Sequence, residues 1–327
     1  MIEAGKCDMD KYIIIDAHVH LWEKQEGCVN HLPVYGLGNG KSSFIGETRQ
    51  MMPPYMVDNG NTAELLVANM DYAGVNACAV TQEYLDGNQD EYLLKVREKY
   101  PDRFRITALY EDEGYVEDLN ALACERNSDG YKKYGKNGSG RICLDGFDGM
   151  KICAGRLKNQ DLTAMMDVFK QVEASGKYIS IDMADGDAQT ESLQKVIDEC
   201  PDLKIAIGHF GMVTTKGWQK QIELAKNKNV YIESGGLTWL FNKEFYPYPS
   251  AIEAILEAKS ICGIEKLMWG SDYPRTMTDI TYKSAVRFII ESKKLSTDDK
   301  AKFLGENAVR FYGFKGLKPL PEIDNML

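Results

Sequence analysis

Residues 13–20 read Ile-Ile-Ile-Asp-Ala-His-Val-His, a β-branched run that ends in two histidines one residue apart. A β-strand turns alternate residues to the same side, so His18 and His20 are predicted to project together from the end of one strand. Neighbouring imidazoles are natural metal ligands, and buried polar rings need partners. The stretch therefore predicts a metal site, with a hydrogen-bonded pair of core histidines as the alternative.

Strand-like runs recur along the whole sequence, at residues 12–18, 75–81, 104–109, 148–153, 178–183, 203–208, 229–234 and 266–271. Helix-like stretches lie between them at 61–73, 89–100, 161–175, 188–199, 217–227 and 250–262. Strands that alternate with helices indicate βαβ units and a parallel sheet. Eight such units predict an α/β fold of the (β/α)8 TIM-type barrel class. A doubly wound sheet is the alternative, but no glycine-rich phosphate fingerprint follows the first run.

Two long segments interrupt this alternation. Residues 21–60 form an insertion directly after the first run. Because the insertion leaves from the end of the strand that carries the histidines, we expect a lid over the site, with His31 or Tyr35 reaching in. Residues 127–141 precede a strand and are expected to form a surface loop on the opposite face.

The chain from 1 to 327 is predicted to form a single barrel domain that ends in a helix over 296–313. Ser296 or Thr297 is the expected N-cap of this helix, because a hydroxyl there can accept a backbone hydrogen bond. Gly313 is expected just beyond its end, where glycine tolerates the left-handed conformation.

The composition limits the kind of partner. The 327 residues carry a net charge of −10, which argues against binding to nucleic acid. None of the eight cysteines forms a Cys-x-x-Cys pair, and no secretory leader opens the sequence. No apolar run approaches the ~20 residues that cross a membrane. We therefore expect a cytoplasmic protein with reduced cysteines that acts on a small, anionic substrate without a nucleic-acid or membrane partner, and a homo-oligomer is left open.

Three polar residues near later strand ends are candidates for chemistry. His209 follows the run at 203–208 and could ligate a metal or polarise a carbonyl. Asp272 follows the run at 266–271, where a carboxylate can accept a proton from a metal-bound water and later return it. Arg275 comes three residues later and could bind an anionic group. The carboxyl ends of barrel strands share one face, so these residues are predicted to meet His18 there.

Other polar residues at strand positions leave several interpretations open. Lys151, in the fourth run, could hold a substrate carboxylate, bridge two metals after carboxylation, or form a structural ion pair. Asp182, at the fifth run, could complete a metal site or cap a loop. Glu233 ends the seventh run and is expected to face solvent.

The order of these motifs resembles the amidohydrolase superfamily, and more narrowly its second amidohydrolase group. The matching pieces are Asp16-Ala17-His18-Val19-His20, Asp148-Gly149-Met150-Lys151, Ile207-Gly208-His209-Phe210-Gly211 and Trp269-Gly270-Ser271-Asp272-Tyr273-Pro274. The resemblance extends from about residue 12 to 313. The first and last motifs together are specific, whereas any one alone is weak.

The resemblance implies a distorted (β/α)8 barrel, a divalent metal in most members and attack by a metal-activated water. His18 and His20 match the first two ligands, His209 the sixth-strand histidine and Asp272 the eighth-strand aspartate. Asp182 stands where the family usually has a histidine, and an oxygen ligand there would shift the preference towards harder ions such as manganese. The expected cofactor is zinc or manganese, with no metal as the alternative, since some similar lactonases work without one.

The sequence thus predicts a metal-dependent hydrolase that opens a lactone or similar cyclic ester of an acidic substrate. The predicted catalytic residues are Asp272 and His209, the substrate-binding residues Lys151 and Arg275, and the metal ligands His18, His20, Asp182 and Asp272. A non-oxidative decarboxylase of an aromatic or muconate-type acid is the alternative, because the resemblance covers such enzymes too. A non-catalytic binding protein on a degenerate barrel is the second alternative.

Overall fold

Eight parallel strands form a barrel at the centre of the protein. The computed structural model describes residues 11–126 and 144–323, so the loop expected at 127–141 lies outside the described residues. In chain order, the barrel strands are β1 (Ile15–Val19), β6 (Ala77–Val80), β7 (Phe104–Leu109), β8 (Gly149–Ile152), β9 (Tyr178–Ile181), β10 (Lys204–Ile207), β11 (Val230–Glu233) and β12 (Leu267–Met268). Each is hydrogen-bonded to the next in this order. The predicted barrel fold is confirmed.

The first and eighth barrel strands meet at a seam beneath the two histidines. Val19 and Tyr273 form a parallel bridge across it. Asp16 is wholly buried there, and its carboxylate accepts hydrogen bonds from Ser271 N at 2.8 Å and from the Tyr282 hydroxyl at 2.7 Å. Burial raises the pKa of Asp16 to about 7, although these donors oppose the shift. A hydrogen-bonded network therefore fixes the strand that carries His18.

The barrel strands are apolar because helices cover their outer face and side chains fill the interior. Ile205 pairs in register with Ile179 on one side and with Val230 on the other, and all three are buried. Parallel strands of this kind read as nearly continuous hydrophobic runs, which is why the sequence located all eight.

The helices pack around the barrel as the hydrophobic spacing predicts. Their bounds are α1 (Ala63–Ala73), α2 (Asp90–Lys99), α3 (Glu113–Arg126), α4 (Met166–Ala174), α5 (Thr190–Glu199), α6 (Trp218–Glu223), α7 (Leu237–Leu240), α8 (Pro249–Cys262), α9 (Tyr282–Glu291), α10 (Thr297–Ala301) and α11 (Asn307–Tyr312). In α9, for example, Tyr282, Val286 and Ile289 recur at helical spacing and are all buried.

The helix predicted over 296–313 consists of three consecutive segments. A π-helical turn at Lys302–Glu306 joins α10 to α11. Ser296 is the N-cap, and its hydroxyl accepts from Asp299 N. Gly313 ends the segment with a φ of 71°, in the left-handed region. Both predicted caps are therefore present.

The insertion after β1 folds into its own four-stranded antiparallel sheet, which the sequence did not reveal. Its strands are β2 (Glu26–Val29), β3 (Leu32–Gly38), β4 (Lys41–Phe44) and β5 (Glu47–Gln50). The sheet is fastened to the loop after β6, where Cys28 N donates to Tyr84 O at 3.0 Å. At Gly27 the two backbones approach so closely that a Cβ would collide with Tyr84 O. The insertion therefore lies against the carboxyl end of the barrel.

Within residues 11–126 and 144–323, no helix is both long and apolar enough to cross a bilayer. The cysteines at 28, 78, 153, 200 and 262 are free thiols.

Candidate active site

A cavity of about 420 Å³ lies at the carboxyl ends of the barrel strands. Its polar lining comprises His20, Gln25, Glu83, Asp86, Arg156, Asp182, Asp185, His209, Gln221, Asp272 and Arg275. Five of these, His20, Asp182, His209, Asp272 and Arg275, are site residues that the sequence predicted, and they come from four separate segments of the chain.

The insertion contributes Trp22, Gln25 and Met51 to the cavity wall. The expected His31 and Tyr35 are not part of that wall. His31 is instead exposed, with 86% of its side chain accessible, and pairs with Asp118. The reason is that His31 lies in the tight turn between β2 and β3, which places it beside Asp118 of α3.

His18, His20 and Asp272 converge at the base of the cavity. His18 Nε2 lies 3.0 Å from His20 Nε2 and 3.6 Å from Asp272 Oδ1. His20 Nε2 lies 3.2 Å from the same oxygen. The three residues are 0%, 9% and 5% exposed, respectively. Two nitrogens and one carboxylate oxygen therefore face a common point that is almost closed to solvent.

A carboxylate lies next to the Nδ1 atom of each of these two histidines. His18 Nδ1 donates to Glu233 Oε1 at 2.6 Å, and Glu233 Oε2 accepts from Gly235 N at 2.6 Å. His20 Nδ1 lies 3.0 Å from Asp86 Oδ2, although the angle is outside the hydrogen-bond range. The expectation that Glu233 faces solvent is wrong, because the end of β11 turns this side chain into the barrel and leaves it 1% exposed.

These contacts give the converging residues different protonation preferences. Burial lowers the pKa of His18. Burial also lowers the pKa of His20, but the carboxylates of Asp86 and Asp272 outweigh it and raise that pKa to about 10. Burial raises the pKa of Asp272, yet the hydrogen bond with His20 and the nearby imidazoles hold it below its usual range. These shifts favour the carboxylate form of Asp272 and the neutral form of His18.

His209 reaches the same region from the turn after β10. Its Nδ1 donates to Gly235 O at 3.0 Å, and its Nε2 lies 3.5 Å from Asp182 Oδ2. The centroid of its ring is 4.5 Å from that of His18. Burial lowers the pKa of His209, but Asp182 more than compensates and raises it to about 9. The backbone orients the ring so that Nε2 is the nitrogen available at the cavity.

Lys151 does not reach the cavity, contrary to its predicted role in substrate binding. Its side chain is fully buried, and Nζ lies 2.6 Å from Asp182 Oδ2. The register explains the contact, because Lys151 pairs with Ser180 on the neighbouring strand, two residues before Asp182. The structural ion pair, one of the interpretations left open by the sequence, is the arrangement found.

Arg275 lies at the mouth of the cavity, where the sequence expected an anion-binding group. Its guanidinium carbon is 4.8 Å from the centroid of the Trp239 ring. Trp239 Nε1 donates to Asp272 Oδ2 at 2.6 Å. One indole therefore contacts both the predicted substrate-binding arginine and the predicted proton acceptor.

Sequence reasoning missed several residues of this cavity. Arg156 Nε donates to Glu83 Oε2 at 2.9 Å, and both line the wall. Trp239 and Asp86 also escaped notice. A signal existed for Asp86, which directly precedes a glycine in the loop after the second strand-like run. Trp239 carried none, because a tryptophan in an apolar stretch reads as core.

The described residues fit a divalent ion at the common point of His18, His20 and Asp272. Imidazole nitrogens bind zinc at about 2.0–2.1 Å, so two ligands of one ion lie about 3 Å apart. The observed spacings of 3.0 and 3.2 Å agree. A carboxylate at the far nitrogen of a ligating histidine is the usual second partner in such sites. His18, His209 and Asp272 also offer donor atoms within 4.8 Å of one another.

The comparisons with known proteins agree with the barrel fold. The family profile described as "Amidohydrolase" matches residues 146–314, just over half of the chain. The chain therefore belongs to the amidohydrolase family, in the second amidohydrolase group that its motifs resemble. No curated protein matches the sequence.

Several solved structures share the fold. A Pseudomonas putida protein provisionally described as a 2-pyrone-4,6-dicarboxylic acid hydrolase superposes with a TM-score of 0.61 at 18% identity, over 93% of this chain and 99% of that one. A zinc-bound amidohydrolase from Burkholderia multivorans gives 0.59 at 16% identity, over 92% and 99%. The 5-carboxyvanillate decarboxylase of Novosphingobium aromaticivorans, complexed with manganese, gives 0.56 at 16% identity, over 93% and 97%. At these identities the likeness establishes the fold alone.

Proposed function

We propose that the protein is a divalent-metal-dependent hydrolase that opens a lactone or similar cyclic ester of an acidic substrate. The observation that carries this proposal is the convergence of His18 Nε2, His20 Nε2 and Asp272 Oδ1, with a carboxylate behind each imidazole. Buried donor sets of this kind bind zinc or manganese, the ions present in two of the similar structures.

Each residue around this point has a separate role in the proposed reaction. A zinc or manganese ion bound by His18, His20 and Asp272 would polarise the ester carbonyl and lower the pKa of a bound water. Asp272 takes up the proton of the attacking water at Oδ2, because Oδ1 faces the histidines. Trp239 holds that carboxylate in place through its hydrogen bond to Oδ2. His209 offers Nε2 to the oxygen on which negative charge develops.

The acidic group of the substrate binds Arg275 at the mouth. Lys151 is committed to Asp182, and the Arg156 guanidinium is bonded to Glu83. Arg275, in contrast, is exposed and makes no ion pair with any residue in the described ranges. Stacking on an indole restricts the guanidinium without neutralising it, which suits recognition of a carboxylate.

Non-oxidative decarboxylation is the rival function. A structural neighbour is named a 5-carboxyvanillate decarboxylase, and the same centre could bind a carboxylate beside a hydroxyl while Asp272 protonates carbon. The two reactions differ in product, because only decarboxylation releases carbon dioxide.

The test is a substrate panel assayed for two products at once. Protein loaded with zinc or manganese is incubated with lactones of sugar acids, carboxylated pyrones and hydroxylated aromatic acids, while acid release and carbon dioxide are both recorded. We expect acid release from a carboxylated lactone without carbon dioxide. Carbon dioxide from an aromatic acid would favour the decarboxylase. Metal binding without turnover of any compound would favour a binding protein on a degenerate barrel.

A further inference from the structure

Lys151 is an ammonium group enclosed in the barrel wall. Its side chain is 0% exposed, and its only close partner in the described ranges is Asp182 Oδ2, at 2.6 Å. No aligned hydrogen-bond acceptor surrounds Nζ. A buried lysine with a single carboxylate partner is held there by charge, because an uncompensated ammonium would be costly at this depth.

The second carboxylate oxygen of Asp182 is left without a partner in the described ranges. Oδ1 is buried and has no hydrogen-bond partner. It rests against Gly208, where a Cβ would collide with it. His18 and Glu233 offer donor atoms within 4.8 Å of those of Asp182. The carboxylate is thus within reach of the histidine site, and the absence of a side chain at Gly208 keeps that space open.

We propose that the Lys151 ammonium supplies the positive charge that a metal ion would otherwise supply to Asp182, at the end of the fifth barrel strand. The ammonium thereby keeps Asp182 out of the coordination of the ion. Of the carboxylates and imidazoles at the ends of β1, β9 and β12, the ion would then be held by His18, His20 and Asp272 and not by Asp182. This inference rests on the proposed function, because it requires that an ion binds. It replaces the sequence-based assignment of Asp182 as a ligand.

The charge balance supports this division. An ammonium 2.6 Å from Asp182 Oδ2 satisfies most of the negative charge that a cation would otherwise seek. Removal of the ammonium alone leaves the His209 ring, 3.5 Å from Oδ2, as the close cationic partner of this buried carboxylate, so the carboxylate then gains by binding the ion. Removal of both charges leaves the local net charge unchanged. The ion pair of Lys151 and Asp182 is therefore electrically neutral as a whole, and neither residue binds the ion.

The experiment measures Mn²⁺ affinity and stoichiometry by calorimetry in three proteins: the wild type, Lys151→Met, and the double variant Lys151→Met/Asp182→Asn. We expect one ion per chain in the wild type. Lys151→Met should bind it at least about tenfold more tightly, because an additional anionic ligand is the usual way in which such sites gain affinity. The double variant should return to within about threefold of the wild type, since neither residue is a ligand. Circular dichroism confirms the fold of each protein.

Two results would overturn the inference. Loss of Mn²⁺ binding in a folded double variant would show that Asp182 is itself a ligand. A folded Lys151→Met protein that binds no more tightly than the wild type would show that the ammonium does not compete for the carboxylate. If Lys151→Met does not fold, the double variant, which carries no unpaired charge, still decides the role of Asp182. A folded wild type that binds neither manganese nor zinc would instead reject the proposed function.

Discussion

Asp272 is held from both sides of its carboxylate. Oδ1 lies 3.2 Å from His20 Nε2, while Oδ2 accepts from Trp239 Nε1 at 2.6 Å. Its backbone has a φ of 60°, an unfavourable region for a residue with a side chain, and its N–H donates to His18 O at 2.9 Å. Strained backbone of this kind persists where the surroundings over-determine it, which occurs often at functional sites.

Replacement of Asp272 by Asn separates proton transfer from metal binding. Asn keeps the shape of the side chain and one oxygen for the ion, but it cannot accept a proton from water. We expect turnover to fall by about 10²–10⁴-fold while the fold and the metal content remain. Steady-state rates and elemental analysis on the same sample provide the check. The matched control is Asp279→Asn, on an exposed carboxylate in the same loop. Near wild-type turnover by Asp272→Asn would assign this residue a structural role.

Replacement of His18 by Ala should remove metal and activity together. The ring supplies Nε2 to the common point and is oriented by Glu233, so its loss removes a ligand and leaves that buried carboxylate without its imidazole donor. Metal content per chain after dialysis is the measurement. His31→Ala serves as the control, because His31 is exposed and lies outside the cavity. Full metal retention in His18→Ala would exclude His18 as a ligand.

At the scale of elements, the insertion contributes to the site through its two ends. Trp22 and Met51 line the cavity, whereas the hairpin of β4 and β5 lies beyond them. Gly40 O accepts from the N–H groups of both Met51 and Met52, each at 3.0 Å. Residues 40 and 51, which flank this hairpin, therefore lie next to each other. Residues 41–50 can be excised without stretching the backbone.

Excision of residues 41–50 tests the predicted role of the insertion as a lid. The deletion removes the Ser42 hydroxyl that donates to Gln25 Oε1 at 2.6 Å, so Gln25 loses a partner at the cavity wall. We expect a higher KM with a smaller change in kcat, because the substrate would be less well enclosed while the barrel residues stay in place. Thermal unfolding verifies that the barrel survives. Unaltered kinetic constants would reject the lid.

The N-terminus of α10 offers a test of stability away from the site. Asp299 completes a capping box with Ser296 and pairs with Lys259 at 2.7 Å. Burial raises the pKa of Asp299, but these donors outweigh it and hold the pKa below its usual value of 3.8. A depressed folded-state pKa means that the stabilisation is present above about pH 4 and is lost as the pH falls through the folded-state value.

Replacement of Asp299 by Ala should lower the free energy of unfolding by about 1–2 kcal/mol at pH 7. The difference from the wild type should shrink below about pH 4, because protonation then removes the same interactions in the wild type. Urea unfolding at several pH values measures both effects. Asp298→Ala, on the exposed neighbour that pairs with Lys302, should cost no more than about 0.5 kcal/mol. Equal costs for the two variants would contradict the capping assignment.

At the scale of the whole molecule, the sequence predicted the repeated strands and helices, but it did not predict features that depend on contacts between residues far apart in the chain. The eight strands and the positions of His18, His209 and Asp272 follow from apolar runs that end in polar residues. This pattern can be read from residues that are adjacent in the sequence. The burial of Glu233 could not be read in this way, because it depends on which way β11 turns its last side chain and on a partner 215 residues away.

The insertion and the lysine pair show the same limit. Strands β2 to β5 are short, and β3 and β5 are largely exposed, so their hydrophobic signal is weak. The sheet forms by pairing within a segment that reads as a loop. Lys151 and Asp182 lie on adjacent strands, so only the register of the sheet could show that they bind each other. A lysine in an apolar run therefore predicted a functional role and a structural role equally well.

Metal dependence tests the central claim most directly. Protein stripped with a chelator is titrated with Mn²⁺, and the rate of lactone opening is measured against the number of ions bound per chain. The proposed site predicts a rate that rises in proportion to bound metal and levels off at about one ion per chain, since the donors meet at a single point. Full turnover by the metal-free protein would contradict the claim.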